Sequence, residues 1–285
     1  MKWILIIILI GTSRCFCQSI SVDFNSPENI RKFADHLFCE KDYLRANFEY
    51  ERLLVNDTDD SLLFKIGLGY SFIRDYQNGN NNFSRITSSS IWYDDAKFQQ
   101  LKLYFLLGDY KRAASIYEEE FEFKENKYAI EGNKLNNFIY FFDNKTLPLK
   151  AEIIFPFNED EKKDVASFYD WKSDPPYKSS STAGILSAVI PGAGKMYLGE
   201  WGDGITAFLV TGLFAFLAYD NFKADHDTRA WIFTGLGAFF YAGNIYGSVA
   251  AAQIFNARIE FEFKQSLNVY LSNKNYFTPE YEFCK

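Results

Sequence analysis

Histidine is almost missing from this chain of 285 residues: there are two, His36 and His226, beside 37 carboxylates. Metal sites draw several His, Cys or carboxylate ligands together at short spacing. The one such cluster, Asp225-His226-Asp227, sits in a polar loop and reads as a solvated turn, with a weak cation site as its rival. Also missing are a Gly-x-Ser-x-Gly elbow and a His-Glu-x-x-His helix. Carboxylate runs such as Glu118-Glu119-Glu120 fit an exposed helix face better than acid–base chemistry. No Lys/Arg cluster appears, and the net charge of −7 excludes a phosphate-tracking surface, so nucleic acid is not a partner. The expectation is a protein with no catalytic residues, metal or cofactor, and not an enzyme.

What is present is apolar and aromatic residue, enough for a sizeable core. The chain opens with Met1-Lys2-Trp3 and the run Ile4-Leu5-Ile6-Ile7-Ile8-Leu9-Ile10, a short positive segment and a core too brief to span a bilayer. Cys15-Phe16-Cys17 then precedes Gln18, so residues 1–17 read as a signal peptide, with an uncleaved anchor helix as the rival. The approaches to Cys15 and Cys17 lack the pattern that lipidation requires. Cleavage would leave Cys39 and Cys284, which are either one disulfide in an oxidising compartment or two unrelated thiols; the sequence does not pair them.

Residues 18–157 carry helical periodicity and a repeated phrase. Lys41-Asp42-Tyr43-Leu44-Arg45-Ala46 precedes the apolar-periodic Phe48, Tyr50, Leu53 and Leu54. Gly108-Asp109-Tyr110-Lys111-Arg112-Ala113 precedes Ile116, Tyr117 and Phe121. Between them Gly67 and Tyr70 stand three apart in an apolar run, and Asn78-Gly79-Asn80-Asn81-Asn82 interrupts where a second helix should begin. From Asp42 to Asp109 is 109 − 42 = 67 residues, close to two repeats of about 34. The phrase resembles the helix–turn–helix of tetratricopeptide repeats. That resemblance implies that Tyr43, Ala46, Gly67, Tyr70, Gly108, Tyr110 and Ala113 pack between paired helices, with further helices across 127–141 and 149–155. An unrelated helical bundle is the rival. Stacked helix pairs offer a concave surface to a protein or peptide and bring no chemistry.

Residues 158–180 read as a polar linker: a charged run, then Asp174-Pro175-Pro176 and serines. Residues 181–258 read as a membrane domain. No charge occurs from Gly204 to Tyr219, or for 28 residues from Ala230 to Ala257. A soluble core helix would show charges on its outer face. Two spans are expected, at about 203–221 and 230–254. Gly243, Gly247 and Ala251 recur at every fourth position, which favours close helix–helix contact in lipid. Gly212 and Ala215 of the other span are the expected partners, with homo-oligomerisation as the competing use. Asn244 and Gln253 are polar groups within the span. Residues 259–285 read as a polar tail.

The most specific string opens the membrane domain: Pro191-Gly192-x-Gly194-Lys195-x-Tyr197-x-Gly199, then Asp203-Gly204. A phosphate-binding loop is excluded, because Met196 stands where that loop needs a hydroxyl. The string resembles a bacterial family of uncharacterised small membrane domains with a Pro-Gly-x-Gly-x-x-Tyr-x-Gly pattern before two spans. Lys195 replaces the neutral amide more usual there. The resemblance implies an architectural role and no chemistry. Segment 181–199 is then a short interfacial or re-entrant helix, broken at Pro191.

The fold expected is all-α: a solenoid-like repeat domain, the short helix and a transmembrane helical hairpin. The function expected is a scaffold in the bacterial inner membrane, its repeats and C-terminal tail extracytoplasmic, binding an envelope protein or peptide. Membrane lipid is the other expected partner. The alternative is a membrane component that assists protein insertion, envelope assembly or transport.

Overall fold

The computed structural model describes residues 23, 25–55, 59–123, 125–143, 146–279 and 281–284; the signal segment expected at 1–17 lies outside them. Among the described residues there are thirteen helices and no strand. The chain forms two compact units, Met1–Ala96 with Tyr281–Lys285, and Lys97–Glu280.

The first unit holds α1 (Pro27–Cys39), α2 (Tyr43–Leu54), α3 (Asp60–Phe72) and α4 (Tyr76–Phe83). Ser26 caps α1 by accepting the Asn29 N–H, and Pro27 occupies the first turn, where no amide donor is needed. The α1–α2 turn rests on a left-handed residue, Lys41 (φ 63°), followed by Asp42, whose carboxylate accepts the Arg45 N–H. Arg74 (φ 64°) and Asp75 repeat this between α3 and α4, with Asp75 accepting the Asn78 N–H. Each turn closes with the Schellman pattern: Asp42 N–H to Leu37 C=O, Asp75 N–H to Tyr70 C=O, both 2.9 Å.

The core of this unit is built on Phe64, wholly buried, with Trp92 stacked at 4.8 Å, Phe83 at 5.4 Å and Tyr281 edge-on at 5.0 Å. Phe283 joins through Phe38 and Trp92. Beside it Cys284 bonds to Cys39, so the two cysteines that the sequence left open are a disulfide.

The second unit takes most of α5 (Tyr93–Leu106), then α6 (Tyr110–Glu120), α7 (Ala129–Phe142), α8 (Lys150–Ile154) and α9 (Glu159–Ser173). Gly108 (φ 73°) and Asp109 repeat the turn device between α5 and α6. From Asp42 to Asp75 is 33 residues and from Asp75 to Asp109 is 34. The stretch expected as a polar linker is mostly α9. Its acidic run is the first turn of that helix, where negative charge meets the positive helix end, and Asn158 with Glu161 forms a capping box.

α10 (Ser180–Val189), α11 (Ala193–Tyr197), α12 (Trp201–Lys223) and α13 (Asp227–Asn273) complete this unit. At 47 residues α13 is about 70 Å long at 1.5 Å per residue. Its last turns overturn the expected polar tail: Phe263, Leu267 and Leu271 are buried in one core with Phe138, Phe141 and Val165. Trp171 meets Phe263 edge-on at 5.4 Å, and Tyr270 meets Phe168 at 5.5 Å. Under this core the buried Glu161 accepts from Lys134 at 2.7 Å and from the Tyr276 hydroxyl at 2.8 Å. Burial raises its pKa, but these hydrogen bonds outweigh burial and hold the carboxyl below its ordinary value.

Among the described residues, α12 alone is long and apolar enough to cross a membrane. The second expected span, within α13, falls short of the same measure, because Tyr241, Asn244 and Tyr246 dilute its apolar residues.

Candidate functional site: the Pro-Gly entrance and the cavity beside α12

The Pro-Gly string is a crossing point of backbones. α10 starts on the Ser179 cap and ends at Val189, two residues before Pro191. Gly192 is left-handed (φ +88°), and a Cβ there would lie 1.9 Å from the Gly204 carbonyl oxygen. A Cβ on Gly194 would lie 2.0 Å from the Ala183 carbonyl oxygen, and one on Gly204 would lie 2.6 Å from Met196 Cγ. Gly199 is also left-handed (φ +86°), but with open space around it. Three of the four glycines are therefore set by close approach and one by backbone conformation alone.

Buried hydrogen bonds lock this crossing. The Gly194 N–H donates to Ser187 Oγ at 3.0 Å, Ser187 and Ser248 hydroxyls lie 2.7 Å apart, and Ser248 donates to the Asn244 carbonyl at 2.9 Å. With the Ser248 proton committed to that carbonyl, Ser187 is the donor in the middle link, and the chain runs in one direction from α11 to α13. At the outer end, Lys178 N–H donates to Asn256 Oδ1 at 2.8 Å and Asn256 Nδ2 donates back to the Lys178 carbonyl at 2.9 Å. Tyr197 takes the Ser179 N–H on its hydroxyl, with the Lys178 ammonium over its ring at 4.9 Å. Tyr241 donates to the Ala188 carbonyl at 2.6 Å.

The small residues of α13 have three different surroundings. Gly243 meets open space, Gly247 faces the Lys195 side chain, and Ala251 packs beside Ala183, Leu198 and Ala252. Gly212 likewise meets nothing, so the expected contact through Gly212 and Gly243 is not where α12 and α13 close on each other. They close at Gly237, where a Cβ would lie 3.3 Å from Phe214 Cβ, and at Phe214 stacked on Phe240 at 5.1 Å. A bulky aromatic seated over one glycine replaces the expected small-on-small seam.

That arrangement leaves a cavity of 360 Å³ beside α12. Lys195, Asp203 and Thr206 line one part, Val210, Phe239 and Phe240 another, and Asn244 lies between α12 and α13. Among the described residues neither Lys195 nor Asp203 has a salt bridge. Asn244 is 7% exposed, and its side-chain nitrogen and oxygen have no hydrogen-bond partner.

Of the residues expected to pack the repeats, Ala46 and Ala113 are fully buried. Tyr43 is half-buried and stacks on Phe72 at 4.6 Å; Tyr110, also half-buried, stacks on Phe142 at 5.7 Å. Gly67 lies under the Phe83 ring. Tyr70 donates to Glu51 at 2.9 Å, and burial followed by that bond pushes its phenol up to about 12. Gly108 supplies the left-handed turn residue and is exposed. Asp75-Tyr76 carries the same Asp-Tyr pair at the start of α4, with Asp75 as its cap. Asp225 is left-handed and His226 is the N-cap residue of α13. Among the described residues no group of three His, Cys, Asp or Glu is placed to hold a metal ion.

Fold and site together define an all-helical protein with one helix suited to a membrane. No family model matches the chain. It is 35% identical over 77 residues to the uncharacterised protein MJ1516 of Methanocaldococcus jannaschii, a match covering 26% of this chain and 74% of that protein. The chain belongs to the family of MJ1516.

Proposed function

We propose that this chain is a non-enzymatic, membrane-anchored scaffold whose tetratricopeptide-like helix pairs bind a protein or peptide outside the cytoplasmic membrane. One observation carries the anchoring. Phe263, Leu267 and Leu271 share a core with residues of α5 to α9, so the chain segments on either side of the membrane domain lie on the same side. If α12 crosses the bilayer, the chain returns before Phe263. The available return path is the first half of α13, uncharged from Ala230 to Ala257. A modest hydropathy there is compatible with spanning, because a helix paired with α12 and α10 shields its polar groups from lipid. The exposed apolar side chains of α12, such as Leu209 and Phe216, face the lipid on this reading. The Cys39–Cys284 bond supports an oxidising compartment, and with it export into the cell envelope.

Binding is supported by α2. Leu44 and Phe48, four apart and each 64% exposed, form an apolar stripe opposite the buried Ala46 and Tyr50. A helix with no partner normally presents polar residues there.

Cysteines introduced at Asp174, Asp225 and Asn275 of the full chain test the anchor with a membrane-impermeant thiol reagent in intact cells. Positions 174 and 275 label, and 225 labels only after permeabilisation. Labelling of all three alike, or of 174 and 275 on opposite sides, refutes the anchor. A photo-crosslinking residue at 48 tests the scaffold. It yields one discrete protein adduct that Leu44→Glu abolishes; adducts indifferent to Leu44→Glu refute binding through α2.

A further inference from the structure

The cavity beside α12 has the makings of a ligand site, and the polarity of its wall changes along its length. Asp203 lies where α12 begins and Lys195 in the preceding α11, whereas Val210 lies seven residues beyond Asp203, about 10 Å along the axis. Phe239 and Phe240 of α13 supply the apolar wall at that depth. The Lys195 side chain reaches α13 at Gly247, where a Cβ would lie 3.8 Å from its Cε. Two opposite charges thus share the rim, and neither is neutralised by a salt bridge among the described residues.

Asn244 is an independent second observation. A buried amide left without hydrogen bonds costs about 1–3 kcal/mol, and native proteins rarely leave one so without a use. Here both its donor and its acceptor are unmet, on a residue lining the cavity. The Ser248 hydroxyl one turn away is satisfied, as is the Ser187 hydroxyl it meets, so the region does not lack means to pair its polar groups.

We propose that this cavity binds the head and upper acyl chain of a zwitterionic glycerophospholipid, of the phosphoethanolamine class. The phosphate meets Lys195, the ammonium meets Asp203, and Asn244 hydrogen-bonds the oxygens between head and chain. Val210, Phe239 and Phe240 take the first methylenes, and the remainder of the chain runs out into the bilayer. A cavity of 360 Å³ holds a headgroup and chain root but no whole lipid. An anionic lipid meets Lys195 equally well but places a neutral or negative group against Asp203. The inference rests on the membrane reading of α12, which the thiol labelling at position 225 tests separately.

The test uses the full chain in neutral detergent, titrated with short-chain phosphatidylethanolamine, short-chain phosphatidylglycerol, or phosphoethanolamine alone. Lipid adducts are counted by native mass spectrometry, and the melting temperature is followed in parallel. One saturable phosphatidylethanolamine is expected, bound more tightly than phosphatidylglycerol, with the free headgroup weakest. Lys195→Met weakens both lipids about tenfold, the loss of one charge-assisted hydrogen bond of about 1.4 kcal/mol. Asp203→Asn brings phosphatidylethanolamine down to the phosphatidylglycerol level and leaves the latter unchanged. Both residues lie at the rim, so the lipid-free melting temperatures stay at the wild-type value. Equal binding of the two lipids by the wild type, or variants that bind like it, overturns the proposal. Free phosphoethanolamine binding as tightly as its lipid overturns it in favour of a soluble ligand.

Discussion

Replacing Gly192 and Gly199 by alanine separates two reasons for a glycine. Both positions are left-handed, at φ +88° and φ +86°, a conformation that costs an alanine about 1–2 kcal/mol. Gly199→Ala meets open space, so this strain is its whole cost. Gly192→Ala also drives a methyl to 1.9 Å from the Gly204 carbonyl oxygen, against an ordinary contact above 3.4 Å. Relief requires the start of α12 to move by more than 1 Å away from the turn. That displacement pulls Gly204 off Met196. Overpacking of this kind adds about 1–3 kcal/mol, for a total near 2–5 kcal/mol. Denaturant unfolding of the two variants in one detergent measures the difference. Gly199→Ala loses about 1–2 kcal/mol and Gly192→Ala at least 1 kcal/mol more. Equal losses would mean that the two backbones do not meet as described, and the architectural account of the string would fall with them.

Cys39→Ser lowers the stability of the first unit by about 2–4 kcal/mol, and reductant brings the wild type to the level of the variant; a melt in each condition checks this. Lys134→Met leaves the Glu161 carboxylate buried without its cation and costs about 3 kcal/mol at neutral pH, measured by denaturant unfolding. Glu161 has a lowered folded-state pKa, so its contribution is fully present above the unfolded-state value of about 4.3. The contribution is lost as pH falls through the lower folded-state value. Melting temperature should therefore drop on acidification below about pH 4, and Glu161→Gln should flatten that drop.

What sequence reasoning could see was local. An Asp that caps a helix and a left-handed residue before it act within six residues, so the phrases at Asp42 and Asp109 are legible in a single line of text. The phrase at Asp75 follows Arg74 and runs into asparagines, which obscured the same device. Long-range pairing left no comparable trace. Nothing near Cys39 indicates Cys284, and nothing near Glu161 indicates Tyr276. Phe263, Leu267 and Leu271 recur every fourth residue, but Glu260, Glu262 and Lys264 around Phe263 read as solvated surface. The cavity was invisible for another reason. In sequence its rim residue Asp203 belongs to the Pro-Gly string and Asn244 is a polar group within an apolar run, whereas a void depends on how α12 and α13 lie on each other.

The Cys39–Cys284 bond joins residues 245 positions apart. Synthesis at about 5–20 residues per second places roughly 12–50 s between the two cysteines. Throughout that interval Phe64 lacks its Tyr281 and Phe283 neighbours, and the Cys39 thiol stays open to any other oxidant or thiol it meets. Domains made early in a chain ordinarily finish folding early. Here α1 to α4, made early, are completed only by residues 281–284, made after α12 and α13. The disulfide thus sets a clock on maturation: a nascent chain that stalls anywhere before residue 284 carries an unfinished first unit with an unpaired Cys39 thiol.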